Sequence, residues 1–481
     1  MRVLTTLTPA RRPRVKHPTI PPRARPVESL RRHFAQAPGL PFADVLSAAQ
    51  LDHVLGACRV PFRDRIFSPL VTVATFLSQV LDPDHSARQA VARLIACRAA
   101  SGLAACAADT RAYRKARQRL PEDVLAELTR RAGRDLLLEA PAGWCWRGRD
   151  VKVVDGTTLS LPDTPANQQA YPQPASQRPG LGFPVLRLVA LFSLAVGTVL
   201  DVAVGPWKGK QTGEPSLFRA LHHHLGDGDV LLADRSFCGY CHLALVRRRG
   251  ADVVMRWHHR RHTDFRRGRR LGRDDHIVPW PKPAQCPDGL DAATFARLPE
   301  TLTLRAVRVR VPGARSRSRT ILVATTLLDP QAYPKDSLAA LYRQRWQAEL
   351  DLRSLKAVLQ MDVLRCHSPA LVRKEIWAHL LAYNLLRKVM AQAALGHRLS
   401  PRQISFKGTL QTRNAFSDRL RACAPGELEA LCRCLLDAVA AHRVGNRPDR
   451  VEPRAKKRRP KPYPLLNRPR DQARKAETRA G

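Results

Sequence analysis

"VKVVDGTTLSL", residues 151–161, is where the chain changes character. An apolar, β-branched run closes on Asp155-Gly156, and it reads as a strand. The sequence before it is punctuated as helices. Ser68-Pro69 is an N-cap followed by proline at the first helical position, opening a helix to about Leu81. Ser86 opens "ARQAVARLIACRAA", which Gly102 ends; Asp109 opens a third helix, and Pro121 starts a fourth with "EDVLAELTRRAGRDLLLE". After the strand, Val185–Ala195 and Thr198–Val204 form a hairpin around a Val196-Gly197-Thr198 turn. "GDVLLADRSF" is another strand, with Asp234 at its end, and "CGYCHLALVRRRG" a helix. Residues 250–328 alternate and are strongly basic, which predicts a β-rich block with strands at "TLTLRAVRVRVPG" and "RTILVATTLL". Long helices run from about Asp336 to Ala394, shorter ones within 402–441. The fold class is α/β with an N-terminal helical part.

Composition narrows the function. Against 41 Asp+Glu stand 82 Lys+Arg, a net charge of +41. That self-repulsion suits a partner carrying one negative charge per ~1.7 Å of duplex, because neutralised phosphates release counterions. Most of the cations are Arg, which forks onto phosphate and guanine; GC-rich coding also favours Arg and Ala. Eleven cysteines are scattered without a framework, and the lone C-x-x-C, Cys238/Cys241, has no second pair at zinc-ribbon spacing. Free thiols imply a reducing compartment. The N-terminal run is basic and proline-containing, with no apolar signal segment expected, and Val185–Val204 is broken by Arg187, Gly197 and Asp201, so it is not a membrane span.

Asp155 alone reads as an Asp-Gly turn, and Asp234 alone as a helix cap. A third carboxylate changes the picture. In "LYRQRWQAELDLRSLKAVL", residues 341–359, a helix advancing about 100° per residue puts Tyr342 at 0°, Arg345 near 300°, Glu349 near 340° and Lys356 near 320°. They share an arc of roughly 60°, beside an apolar stripe of Leu341, Ala348, Leu352, Leu355 and Leu359. This arc is either a salt-bridged flank or the edge of a cleft. Carboxylates at two strand ends and one on such a helix repel unless cations sit among them; hard oxygen ligands suit Mg²⁺ or Mn²⁺. Two such ions serve phosphodiester displacement.

Tyr342, Arg345, Glu349 and Lys356 in that order and spacing match the Y-R-E-K signature of the insertion-sequence-4 family of DDE transposases. "VDGTTLSLPDTP" resembles that family's first-aspartate block and "GEPSLFRALHHHLGDGDVLLADRSFCGY" its second. The likeness runs on through "DFRRGRRLGRDDHIVPWPKP" and "ELDLRSLKAVLQMDVLRCHSPALVRKEIWAHLLAYNLL", reaches back to "RIFSPLVTVATFLSQVL", and spans about residues 60–470. Ser236 is a mild departure. The resemblance implies a ribonuclease-H-like catalytic core interrupted by a β-rich insertion. It implies Asp155, Asp234 and Glu349 as catalytic ligands of two Mg²⁺ (or Mn²⁺) ions. Tyr342, Arg345 and Lys356 would contact the transposon end, and Trp280 or Trp257 would stack on a displaced base. Arg266, Arg267, Arg269 and Arg270, with Arg260 and Arg261, form a cluster for phosphates. The chemistry implied is cut-and-paste transposition: nick, hairpin, reopening and strand transfer.

The expected layout is a basic arm at 1–32, a helical DNA-binding domain at 33–148, core segments at 149–249 and 331–395 around an insertion at 250–330, a helical region at 396–442, and a basic tail at 443–481. The expected partners are the terminal inverted repeats, target DNA and a second copy in a synaptic homodimer, with no membrane; the expected location is the cytoplasm, on the nucleoid. Two other readings share the charge: a non-catalytic DNA-binding protein or decayed element, and a nuclease on the same core. Neighbouring residues on a helix point apart, so His222-His223-His224 is not read as a three-histidine metal site, and Lys208, Lys210 and Glu214 are assigned no role.

Overall fold

The computed structural model describes residues 48–58, 65–100, 102–258, 265, 268–311, 319–424, 426–445 and 464–480. The chain opens with α1 (Ala48–Ala57), α2 (Pro69–Leu81), α3 (Ala87–Ala100), α4 (Arg111–Arg119) and α5 (Glu122–Leu138). Ser68 caps α2 by accepting the Val71 N–H, with proline beside it, as its sequence predicts. Two small helices, α6 (Pro165–Ala170) and α7 (Glu214–Arg219), punctuate the strands that follow; α8 is Tyr240–Arg247 and α9 Ala292–Ala296. Then come α10 (Lys335–Arg343), α11 (Trp346–Arg353), a π turn (Ser354–Val358), α12 (Pro369–Gly396), α13 (Phe406–Ala422), α14 (Leu428–Ala441) and α15 (Arg470–Ala480).

The nine strands among the described residues lie in one mixed sheet, ordered β3-β2-β1-β4-β5-β9-β8-β7-β6. They are β1 (Val151–Ser160), β2 (Val185–Ser193), β3 (Val199–Pro206), β4 (Val230–Ala233), β5 (Asp252–Arg256), β6 (Arg269–Gly272), β7 (Asp275–Pro281), β8 (Thr301–Val311) and β9 (Arg319–Thr325). β1, β2 and β3 are antiparallel neighbours, whereas β4 runs parallel to β1 and β5 parallel to β4. β5 therefore closes the parallel part of the sheet, and β9, β8, β7 and β6 extend it antiparallel. The β-rich block is thus continuous with the sheet that carries the aspartates. β1 also runs on past Asp155 to Ser160, so the Asp-Gly pair is mid-strand, with Asp155 paired to Ala190, and no turn forms there.

Strand alternation sorts the core into two faces. Val153, Leu188, Ala190, Leu232 and Val254 join one cluster with α2, α5 and α10–α14; Val154, Val189, Leu231, Val253 and Met255 join another with α7 and α8. The first includes Val124 and Leu125 of α5 beside Leu380 and Leu381 of α12, so the N-terminal helices share the core of the sheet. α3 and α4, with Phe67 and Cys106, keep a small cluster apart, and Leu136 of α5 joins another with Ala195, Val196 and Ala391. Buried Arg305 on β8 forks onto Asp275 (2.8 and 2.6 Å) and donates to the Tyr333 carbonyl at 2.7 Å, tying the outer strands to the loop that enters α10. No described helix is long and apolar enough to cross a membrane.

Candidate active site

The sheet register brings the aspartates together. β1 pairs with β4 through Val153↔Leu232, and β4 with β5 through Ala233↔Met255. Carried onward, the same rows put Asp155, Asp234 and Arg256 side by side on the face covered by α10 and α11. β4 ends at Ala233 while β1 continues, so a notch opens where the two part. Asp155 Oδ1 accepts the Gly156 N–H at 2.9 Å. Asp234 Oδ1 accepts from the Ser236 N–H at 2.7 Å and its hydroxyl at 2.5 Å. Asp234 does not cap the next helix, whose N-cap is Gly239; Ser236 holds its carboxylate instead.

The helix of the Y-R-E-K signature is not one helix. α10 stops at Arg343, and the Arg345, Gln347 and Ala348 N–H groups donate to carbonyls three residues back, a tight turn before α11. The π turn then widens the spacing ahead of Lys356. The four side chains nevertheless converge. Arg345 donates to Glu349 Oε1 at 2.6 Å and lies 3.9 Å from Asp155 Oδ2. Lys356 Nζ donates to Thr157 Oγ1 (3.1 Å) and the Thr158 carbonyl (2.9 Å), which are on β1 just past Asp155. Tyr342 is buried, and burial pushes its hydroxyl up to about 12 against the nearby charges of Arg345 and Arg256, so it remains a neutral donor. The apolar stripe is buried as its spacing predicts.

Burial pushes the Asp155 carboxyl up to about 6; the Gly156 N–H and Arg345 oppose this, while the charges of Asp234 and Glu349 reinforce it. Asp155 thus feels the charges of Asp234 and Glu349, and Arg345 bridges toward Asp155 and Glu349. The donor atoms of the three acids are all carboxylate oxygens, and two carboxylates are partly solvent-accessible, which fits a hard divalent cation.

The remaining predicted residues lie elsewhere. Trp280 is in the second core, edge-on to Tyr240 and 5.4 Å from the Trp257 ring. Arg269 and Arg270 are exposed on β6 at the end of the sheet. Arg260, Arg261, Arg266 and Arg267 fall outside the described residues. Cys238 and Cys241 are both buried. The histidine run splits as helical geometry requires: His222 packs against Phe218 and His242, whereas His224 bonds Asp201 at 2.6 Å. Asp201 also meets Arg130 at 3.1 Å, so this Asp201-His223-His224 cluster already holds a permanent cation.

Two residues at the notch escape sequence reasoning. Arg256, at the end of β5, lies within electrostatic reach of Tyr342, and strand alternation could have placed it. Glu214 approaches Gly156 from the other face, and no local pattern links the two.

The family model for the transposase DDE domain matches residues 146–385, a span that contains all three carboxylates. The transposase InsG for insertion sequence element IS4 of Escherichia coli (strain K12) is 29% identical over 329 residues, covering 66% of this chain and 70% of that protein. The transposase for insertion sequence element IS421 of Escherichia coli is 37% identical over 70 residues, or 15% of this chain and 19% of that protein. A piggyBac transposase synaptic complex with hairpin DNA overlays 89% of this chain and 88% of its own at 11% identity, with a TM-score of 0.38, too loose to bear on the fold. The family match, the IS4 relative and the convergence of Asp155, Asp234 and Glu349 lead to one identification: the chain belongs to the DDE transposases, in the IS4 family, enzymes that cleave DNA and transfer its strands.

Proposed function

We propose that this transposase carries out cut-and-paste movement of an insertion sequence with Asp155, Asp234 and Glu349 as its catalytic carboxylates. The observation that supports the reading is Arg345, which contacts Glu349 and lies 3.9 Å from Asp155, linking the helix to β1. The order β3-β2-β1-β4-β5, with β4 and β5 parallel to β1, supports a ribonuclease-H-like core, and β6–β9 are the insertion that separates Asp234 from Glu349. Bound Mg²⁺ or Mn²⁺, as a pair, would polarise the scissile phosphate and stabilise the leaving oxygen.

The chain's own residues position the DNA. Arg345 forks toward a phosphate oxygen beside Glu349, Tyr342 donates its hydroxyl, and Lys356 supplies a charge beside β1. Each step exchanges one oxygen for another at phosphorus: water displaces a 3′-oxygen, that 3′-OH attacks the opposite strand to close a hairpin, water reopens it, and the 3′-OH attacks target DNA. Because the step is the same displacement each time, one site serves all four. Trp280 is the proposed stacking residue at the hairpin and requires the β7 end of the sheet to open. Arg266, Arg267, Arg269 and Arg270 serve phosphates near it. Two copies hold the two ends, and the location is the cytoplasm, on the nucleoid.

A labelled duplex bearing the element's end, incubated with protein and Mg²⁺, tests the assignment. Replacing any of Asp155, Asp234 or Glu349 by Ala is expected to abolish nicking with end binding retained, since affinity comes from phosphate contacts elsewhere. Normal nicking by Glu349→Ala would overturn it.

A further inference from the structure

Asp234 follows directly on β4, and the chain beyond it is a tight turn anchored in the core. The Cys238 N–H donates to the Arg235 carbonyl at 3.3 Å and the Gly239 N–H to the Phe237 carbonyl at 2.8 Å. Phe237 is fully buried, edge-on to Phe218 with the ring centres 5.6 Å apart. Ser236, a mild departure from the family's second block, is thereby fixed between a strand end and a core aromatic, while it remains exposed itself.

Both donors of Ser236 meet the same oxygen. Its N–H reaches Asp234 Oδ1 at 2.7 Å, and its hydroxyl does so at 2.5 Å. A carboxylate oxygen offers two lone-pair sites, so these two donors fill Oδ1 and leave Oδ2 as the oxygen with room for a cation. Asp155 is arranged in the same sense. Its Oδ1 accepts the Gly156 N–H at 2.9 Å, and its Oδ2 is the oxygen that lies 3.9 Å from the Arg345 guanidinium. Each aspartate thus has one oxygen tied to the chain just after it, and Asp234 adds a side-chain hydroxyl to that tie. One donor lets a carboxylate turn about its Cβ–Cγ bond; a second donor on the same oxygen resists the rotation. Partners of this kind orient a metal ligand without touching the metal.

We propose that Ser236 is a positioning residue for the metal site, its hydroxyl and N–H together locking Oδ1 of Asp234 so that Oδ2 is presented to a divalent cation. The role rests on Asp155, Asp234 and Glu349 being metal ligands, and the test separates the two. Mn²⁺ is titrated into the full-length protein, with bound metal followed by electron paramagnetic resonance and by the rise in Tm. Ser236→Ala keeps the N–H and removes the hydroxyl. It is expected to weaken Mn²⁺ binding about tenfold, with an unchanged metal-free Tm and unchanged binding to an end duplex. The Mn²⁺ concentration for half-maximal nicking should rise by a similar factor, and the nicking rate at saturating Mn²⁺ should largely recover. Ser236→Thr, which restores a hydroxyl, should bind Mn²⁺ as the wild type does. Wild-type Mn²⁺ affinity in Ser236→Ala, alongside loss in Asp234→Asn, would overturn the role of Ser236 alone. So would equal losses in the Ala and Thr variants, or a lowered metal-free Tm with parallel loss of end binding, since these mark a turn that is merely structural. Wild-type binding in Asp234→Asn, or no binding by the wild type, would overturn the three-carboxylate site and Ser236 with it.

Discussion

Asp155 shows what the site costs the fold. Burial pushes its carboxyl up to about 6 when no metal is bound, against an ordinary value of 3.8. A raised folded value means that the fold favours the protonated form. The resulting stabilisation is present in full below the unfolded value near 4 and is lost as pH rises through about 6. At pH 8 the metal-free protein therefore carries an ionised, largely buried Asp155 at a cost of roughly 1–3 kcal/mol. Asp155→Asn should raise the metal-free Tm at pH 8, and the gain should shrink toward pH 4. Melting curves across this range check it; a lower Tm for the variant at pH 8 would contradict the origin of the shift. Arg345 and Tyr342 make a second prediction at this scale. They position a strand, and a small misplacement costs ~10²-fold in rate. Arg345→Ala and Tyr342→Phe should keep Mn²⁺ binding yet lose hairpin product on a pre-cut end more than first-strand nicking, since the hairpin bends DNA more sharply. Proportional loss of every step with a lowered Tm would make both residues mere structural flank.

At the scale of elements, α11 is held by a residue outside the signature. Asp351, two residues past Glu349, is fully buried. It accepts from Arg387 of α12 and from Arg402, which also donates to the Ser193 and Leu194 carbonyls at the β2–β3 hairpin. Asp351→Ala would strand two guanidiniums, and breaking a buried pair costs about 3–5 kcal/mol. The variant should melt well below wild type and lose nicking although Glu349 is untouched; wild-type melting would rule out the anchor. None of this was legible in the sequence, because the partners are far apart along the chain. What was legible is local: the Ser68 cap, the alternation of β1 and β4, and the buried stripe beside Glu349. Wheel arithmetic on 341–359 gave the right company for the wrong reason. It assumes a uniform helix, whereas the chain tightens before α11 and widens into a π turn, and the four side chains converge through tertiary contacts to β1. Sheet order was likewise hidden. Residues 250–256 look like the start of a separate basic block, and only pairing with β4 and β9 makes β5 the hinge between two parts of one sheet.

For the whole molecule the governing quantity is charge. α4 presents Arg111, Arg114, Lys115 and Arg119 to solvent with no acidic residue in the helix. The cleft beside it, about 480 Å³, is lined by Arg65, Ile66, Phe67, Arg111, Lys115 and Arg119. A surface of this kind on a small peripheral core suits the specific grip on a DNA end. The flanking sequence differs: residues 1–32 hold nine basic residues and one acidic, and residues 446–481 thirteen basic and four acidic. Such segments add affinity without reading bases, because each neutralised phosphate steepens the plot of log K against log salt by about 0.9. The clean truncation spares residues 443–445, since Arg443 bridges to Ile404 and the Val444 N–H donates to the Gln403 carbonyl at 2.9 Å. A protein of residues 33–445 should therefore fold, nick, and discriminate its own end from unrelated duplex as the full chain does. Its salt dependence should be shallower by several phosphate equivalents. The quadruple change of Arg111, Arg114, Lys115 and Arg119 to Ala in the full chain should do the reverse, erasing discrimination while leaving much of the non-specific affinity. Fluorescence anisotropy on matched and unrelated duplexes from 50 to 300 mM salt (roughly the range over which such contacts are screened) separates the contributions. An unchanged slope on truncation would mean that the flanking segments do not touch DNA, and intact discrimination in the quadruple variant would move end recognition away from α4.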